Sequence, residues 1–92
     1  MKILAVCGFG VGSSMVLKMT LQKAVAELGL EAEVENTDVS SAKGSQADVI
    51  FTSNELLDEL KGSTKSPIYP IKKYMDLVEV KAALEAYLST QA

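Results

Sequence analysis

The chain has 92 residues, 48% of them apolar and 23% charged, with a formal charge of −3. That is enough for one small domain over residues 1–92, with one sheet and a few helices. The acidic balance and the lack of a Lys/Arg cluster exclude a nucleic-acid footprint. The lack of histidine excludes an imidazole base, a phosphohistidine or a His-bound metal supplied by this chain.

One cysteine allows neither an internal disulfide nor a CxxC redox pair, and a free thiol fits a reducing, cytoplasmic compartment. The opening MKILAVCGFG holds an apolar run only from Ile3 to Cys7, too short for a secretory core. No run approaches the roughly 20 apolar residues a membrane helix needs.

Ile3-Leu4-Ala5-Val6 is continuously apolar, as a strand covered on both faces requires. The glycine-rich stretch CGFGVGSS follows at once. Leu17, Leu21, Ala24, Val25 and Leu28 then recur at helical spacing, with Ser13 or Ser14 as the natural N-cap and Gly29 at the C-terminal cap. Ala32 to Asn36 alternates, which predicts a second, more exposed strand, and polar Ser40 to Gln46 predicts a loop or one helical turn. Val49-Ile50-Phe51 reads as another buried strand, ending in Thr52-Ser53-Asn54. Glu55 to Leu60 predicts a short helix stopped by Lys61-Gly62. Pro67 to Ile71 gives a last strand whose two prolines place it at an edge. Asp76 caps a final helix, with Glu79 at the capping-box position and Leu77, Val80, Leu84, Tyr87 and Leu88 as its apolar face.

Strands alternating with helices make the class α/β. Right-handed crossovers then predict a four-stranded parallel sheet in the order 2-1-3-4, Rossmann-like, with helices on both faces. The loops at the C-terminal ends of its strands, Cys7–Ser14 and Thr52–Asn54, are the expected ligand site.

Gly8, Gly10 and Gly12 let the backbone approach a ligand closely. Loop N–H groups and the positive end of the following helix together favour an anion, so the stretch is P-loop-like and suits a phosphoryl group. It is not a nucleotide loop: GxxxxGK[ST] fails because serines occupy positions 13 and 14, and GxGxxG fails because the glycines step by two. A thiol beside a helix N-terminus is held as thiolate, which makes Cys7 a nucleophile directed at phosphorus. The plain alternative is a small core residue at a strand end.

Low-molecular-weight tyrosine phosphatases use a similar fold and a loop of Cys, five residues, Arg and Ser/Thr. Counted from Cys7, the arginine position holds Ser13 and the next Ser14, so the bidentate clamp on the phosphoryl oxygens is missing. No Asp-Pro general acid follows in the C-terminal third. A site of this kind accepts a phosphoryl group but hydrolyses the thiophosphate poorly, as a carrier does.

ILAVCGFGVGSSMVLKM resembles the IIB components of the phosphoenolpyruvate-dependent sugar phosphotransferase system (PTS), most closely the ascorbate-type branch of the lactose/galactitol/ascorbate-like proteins. The resemblance implies that Cys7 takes phosphate from a phosphohistidine on a cytoplasmic IIA protein. The group then passes to the sugar, ascorbate or similar, bound by the IIC membrane transporter, at whose inner face the protein works transiently. Cys7 would be the phosphocysteine nucleophile, and Gly8, Phe9, Gly10, Val11, Gly12, Ser13 and Ser14 its phosphate-binding cradle. No metal or other cofactor is expected. The alternatives are a cysteine-dependent phosphatase or arsenate-reductase-like enzyme, and a small-anion binding module with an incidental cysteine.

The neighbouring residues carry lesser expectations. Phe9 and Val11 either face docking partners or fold onto the core. Ser13 and Ser14 either bond the phosphoryl group or cap the helix. Capping is the expected role of Thr52-Ser53-Asn54, with a phosphoryl contact second. Lys18 is read as a solvated helix residue, and Met15 and Met19 as core or rim packing rather than adaptable partner contacts. Asp38, conceivable as a distant general base, has no such role beside a thiolate.

Overall fold

The computed structural model describes residues 1–6, 10–44 and 46–90, with the side chains of residues 10–14 outside the description. Strands β1 (Lys2–Val6), β2 (Glu33–Thr37), β3 (Val49–Thr52) and β4 (Ile68–Pro70) alternate with helices α1 (Gly10–Glu27), α2 (Val39–Lys43), α3 (Asn54–Lys61) and α4 (Leu77–Ser89). All paired strands are parallel, and the sheet order is β2-β1-β3-β4, as the crossover rule predicts.

Alternation along the central strands divides the core into two layers. Ile3 and Ala5 of β1 and Val49 and Phe51 of β3 face Leu17, Leu21 and Ala24 of α1 and Val80 and Leu84 of α4. Leu4, Val6 and Ile50 point the other way, onto Ala42 of α2 and Leu60 of α3. Residues of β1 and β3 are therefore buried on both faces, which is why those strands read as unbroken apolar runs. At one edge β2 has a single buried residue, Val34. At the other, Tyr69 of β4 stacks on Phe51 with ring centroids 5.8 Å apart and meets Tyr87 of α4 edge-on at 6.2 Å.

Helix ends follow local chemistry. Gly29 takes φ +69°, a conformation that strains other residues. Its N–H bonds the Ala26 carbonyl and that of Leu30 the Val25 carbonyl, the paired bonds of a Schellman cap. Asp76 caps α4 by accepting from Val78 N and Glu79 N. The polar segment after β2 is a short helix, because the Asp38 carboxylate accepts from Ser41 N at 2.7 Å and nucleates the turn.

One expected boundary is corrected. α1 begins at Gly10, so neither Ser13 nor Ser14 is its N-cap. Glycines are tolerated there because the first-turn N–H groups have no intrahelical acceptors, and the remaining turns carry the helix.

Candidate active site

The C-terminal edge of the sheet gathers the sequence motifs. β1 ends at Val6 and α1 opens at Gly10, so Cys7 lies in the three-residue connection between the end of a buried central strand and a helix N-terminus. Cys7, Gly8 and Phe9, and the side chains of Val11, Ser13 and Ser14, lie outside the described residues. The backbone of Gly10 to Ser14 is helical, so the first N–H groups of an 18-residue helix stand three residues after the thiol. No acidic residue occupies that first turn, leaving the positive end of the dipole uncompensated from within the helix.

β3 brings Thr52 to the same edge, in register with Val6. The Thr52 hydroxyl is fully buried and donates to the Val6 carbonyl oxygen at 2.7 Å. Its own carbonyl accepts from Ile71 N at 2.7 Å, so one residue ties together the ends of β1, β3 and the segment leaving β4. Thr52 therefore does not cap α3. Ser53 holds the N-cap position with extended backbone, but its hydroxyl makes no capping bond, and Asn54 is the first helical residue. Beside them Ser53, Asn54, Glu55, Ile71, Lys72 and Tyr74 line an open groove of about 370 Å³. A larger groove of about 500 Å³, with Asp48, Ser66 and Pro67 in its wall, lies at the opposite edge, where β3 and β4 begin, away from the end of β1.

Of the residues around these elements, the two methionines depart from the packing expected of them, while Asp38 takes no part as a base, as expected. Met15 and Met19 are exposed, at 47% and 53%, while Leu17 and Leu21 supply the buried stripe of α1. One turn apart on one face of α1, they are rim residues turned to solvent. Asp38 is held below the usual carboxylate range, chiefly by the Ser41 N–H and then by the Ser41 side chain, which makes it a weaker base and a structural cap. Lys18 is half-buried on α1. Among the described residues no group of three acidic or thiol ligands could hold a metal ion, and no helix is long and apolar enough to cross a membrane.

Residues 2–86 match the family described as "PTS system, Lactose/Cellobiose specific IIB subunit". The chain belongs to the IIB family of the sugar phosphotransferase system. Members of this family act as phosphotransferases in sugar transport. The IIB chain is 38% identical over 88 residues to the ascorbate-specific PTS EIIB component of Mycoplasma pneumoniae, covering 94% of this chain and 93% of that protein. It is 36% identical over 61 residues to the ascorbate-specific EIIB component of Escherichia coli O157:H7, covering 64% of this chain and 60% of that one. The lactose-specific IIB domain of Streptococcus pneumoniae shares the fold, with a TM-score of 0.69 at 16% identity over 97% of this chain and 95% of that one. The solution structure of an Escherichia coli K12 enzyme IIB subunit does so at 0.51 and 19%, over 99% and 95%. The 2-1-3-4 sheet thus belongs to a fold that the chain shares with both of these IIB structures.

Sequence reasoning missed Thr52 as a link between strands. The available signal was a hydroxyl residue ending a run, Val49-Ile50-Phe51, that burial would otherwise extend with another aliphatic side chain.

Proposed function

We propose that the chain is a phosphoryl carrier in which Cys7 accepts phosphate from a IIA phosphohistidine and delivers it to a sugar acid, ascorbate or similar, held by the IIC transporter. The position of Cys7 carries the reading: the chain's sole cysteine stands between the end of a buried strand and a helix N-terminus, in a chain of the IIB family that has no histidine of its own. The ascorbate-specific names of the two relatives support the substrate class.

In the first transfer the Cys7 thiolate attacks phosphorus in line. The P–N bond breaks, its electron pair returns to the donor imidazole, and a P–S bond forms. In the second, a sugar hydroxyl oxygen attacks phosphorus, the thiolate leaves, and the hydroxyl proton passes to the transporter site or solvent. Backbone N–H groups of Gly8 to Gly12 hold the phosphoryl oxygens during both steps, with the hydroxyls of Ser13 and Ser14 completing the cradle. The phosphorylated thiol adds negative charge beside the helix N-terminus, which the dipole stabilises. With Ser13 at the phosphatase arginine position, the clamp that promotes hydrolysis of the thiophosphate is missing, and Met15 and Met19 form part of the partner-facing rim.

The deciding experiment is intact mass and peptide mapping after incubation with phosphoenolpyruvate, enzyme I, HPr and an ascorbate-type IIA. One phosphoryl group on Cys7, only with IIA present, is the expected result. Cys7→Ser keeps the fold and loses the adduct; full uptake by that variant overturns the assignment. Turnover of a small aryl phosphate returns the chain to the phosphatase alternative.

A further inference from the structure

We propose that Thr52 is a positioning residue for Cys7, acting through the carbonyl of Val6; this deepens the carrier reading and rests on it. Of the described residues only Thr20 and Thr52 are buried and polar. Thr20 satisfies itself within its own helix by donating to the Val16 carbonyl four residues back. Thr52 instead reaches across 46 residues of sequence, from the end of β3 to the end of β1. Valine would fill this site with the same shape, and the three preceding positions of β3 are apolar and fully buried. The hydroxyl is therefore there for its hydrogen bond.

The acceptor gives that bond its consequence. The Val6 carbonyl belongs to the peptide unit joining Val6 to Cys7, and that unit is planar. Fixing its oxygen fixes the plane from which the nucleophile's backbone departs. Covalent geometry alone leaves this last unit of β1 free to rotate about Val6 ψ as the chain leaves the sheet. The Thr52 hydroxyl removes that freedom, and the bond from Ile71 N to the Thr52 carbonyl braces Thr52 against β4. In-line transfer is sensitive to placement: a shift of about 1 Å costs up to roughly 10²-fold.

The test compares Thr52→Val, which keeps the shape and removes the donor, with Thr52→Ser, which keeps the donor. Two readouts are taken on each full chain: the rate of phosphoryl uptake from IIA, and the pH midpoint of Cys7 alkylation by iodoacetamide. Thr52→Val is expected to fold cooperatively, take up phosphate on the order of tenfold more slowly, and show a raised alkylation midpoint. Thr52→Ser is expected to restore both. A folded Thr52→Val with the wild-type rate and midpoint overturns the proposal, as does a Thr52→Ser as impaired as the valine variant. If Thr52→Val does not fold, Thr52→Ser against Thr52→Ala makes the same one-hydroxyl comparison. Failure of the wild type itself to accept phosphate overturns the carrier reading, while the alkylation midpoints still decide the role of Thr52.

Discussion

The Glu79 carboxylate accepts from the backbone N–H of Lys72 at 2.8 Å and of Lys73 at 3.0 Å, with one oxygen on each. Glu79 stands at the capping-box position of α4, yet it holds the segment four to five residues before the helix start rather than the cap itself. It thereby fixes the stretch that carries Lys72 and Tyr74 past the groove beside Ser53 and Asn54.

Removing that carboxylate leaves two N–H groups to water and frees the connection. Glu79→Ala is expected to cost about 1–2 kcal/mol, since partly exposed charge-assisted bonds are worth that much. For a domain of this size the loss lowers Tm by roughly 4–8 °C per kcal/mol. Glu79→Gln, with one carbonyl oxygen left to accept, falls between the two. Thermal unfolding followed by circular dichroism checks the order; Glu79→Ala melting with the wild type removes the claim.

Asp38 sets an acid-side signature. Its carboxyl titrates below the ordinary value because the Ser41 N–H, first, and the Ser41 side chain bond the ionised form. The unfolded chain then binds the proton more readily, so this contribution is complete above the ordinary aspartate pKa of about 3.9 and is lost as pH falls through the lowered native value. Carboxyl titration by NMR is expected to place the Asp38 midpoint below that ordinary value. In Asp38→Asn the cap remains, and the stability difference from wild type shrinks or reverses across the same acid window. A native midpoint at or above the ordinary value contradicts this.

Gly12 tests why glycines occupy the first turns of a helix. Inside a helix, glycine is disfavoured against alanine by about 0.5–1 kcal/mol, so Gly12→Ala is expected to raise Tm by a few degrees. If the backbone here approaches a phosphoryl group, the added methyl slows phosphoryl uptake at least on the order of tenfold while the protein becomes more stable. Rising stability with unchanged uptake would mean that the glycine serves no ligand.

Much of the molecule was legible before folding. The unbroken runs at Ile3–Val6 and Val49–Phe51 require two covered faces, the alternation after Ala32 requires one, and the prolines at 67 and 70 require an edge. With the handedness of parallel crossovers these leave the order 2-1-3-4. The caps at Gly29 and Asp76 were equally readable, because a cap is a contact among residues a few positions apart. The start of α1 was not. Glycine's low helix propensity points to a loop at positions 10 to 12, and only the cooperativity of a long helix packed on the sheet overrides it.

The sequence by itself determined the chemistry available to this protein: one thiol, no imidazole, a glycine-rich turn into a helix, and the fold class that sets them at a strand end. The tertiary structure alone decided which polar groups far apart in the sequence meet. Thr52 and Val6 are 46 residues apart and become partners only through the parallel pairing of β1 with β3. Local periodicity reports which face a residue presents. Which hydroxyl satisfies which carbonyl depends on strand register, and register is a property of two segments together.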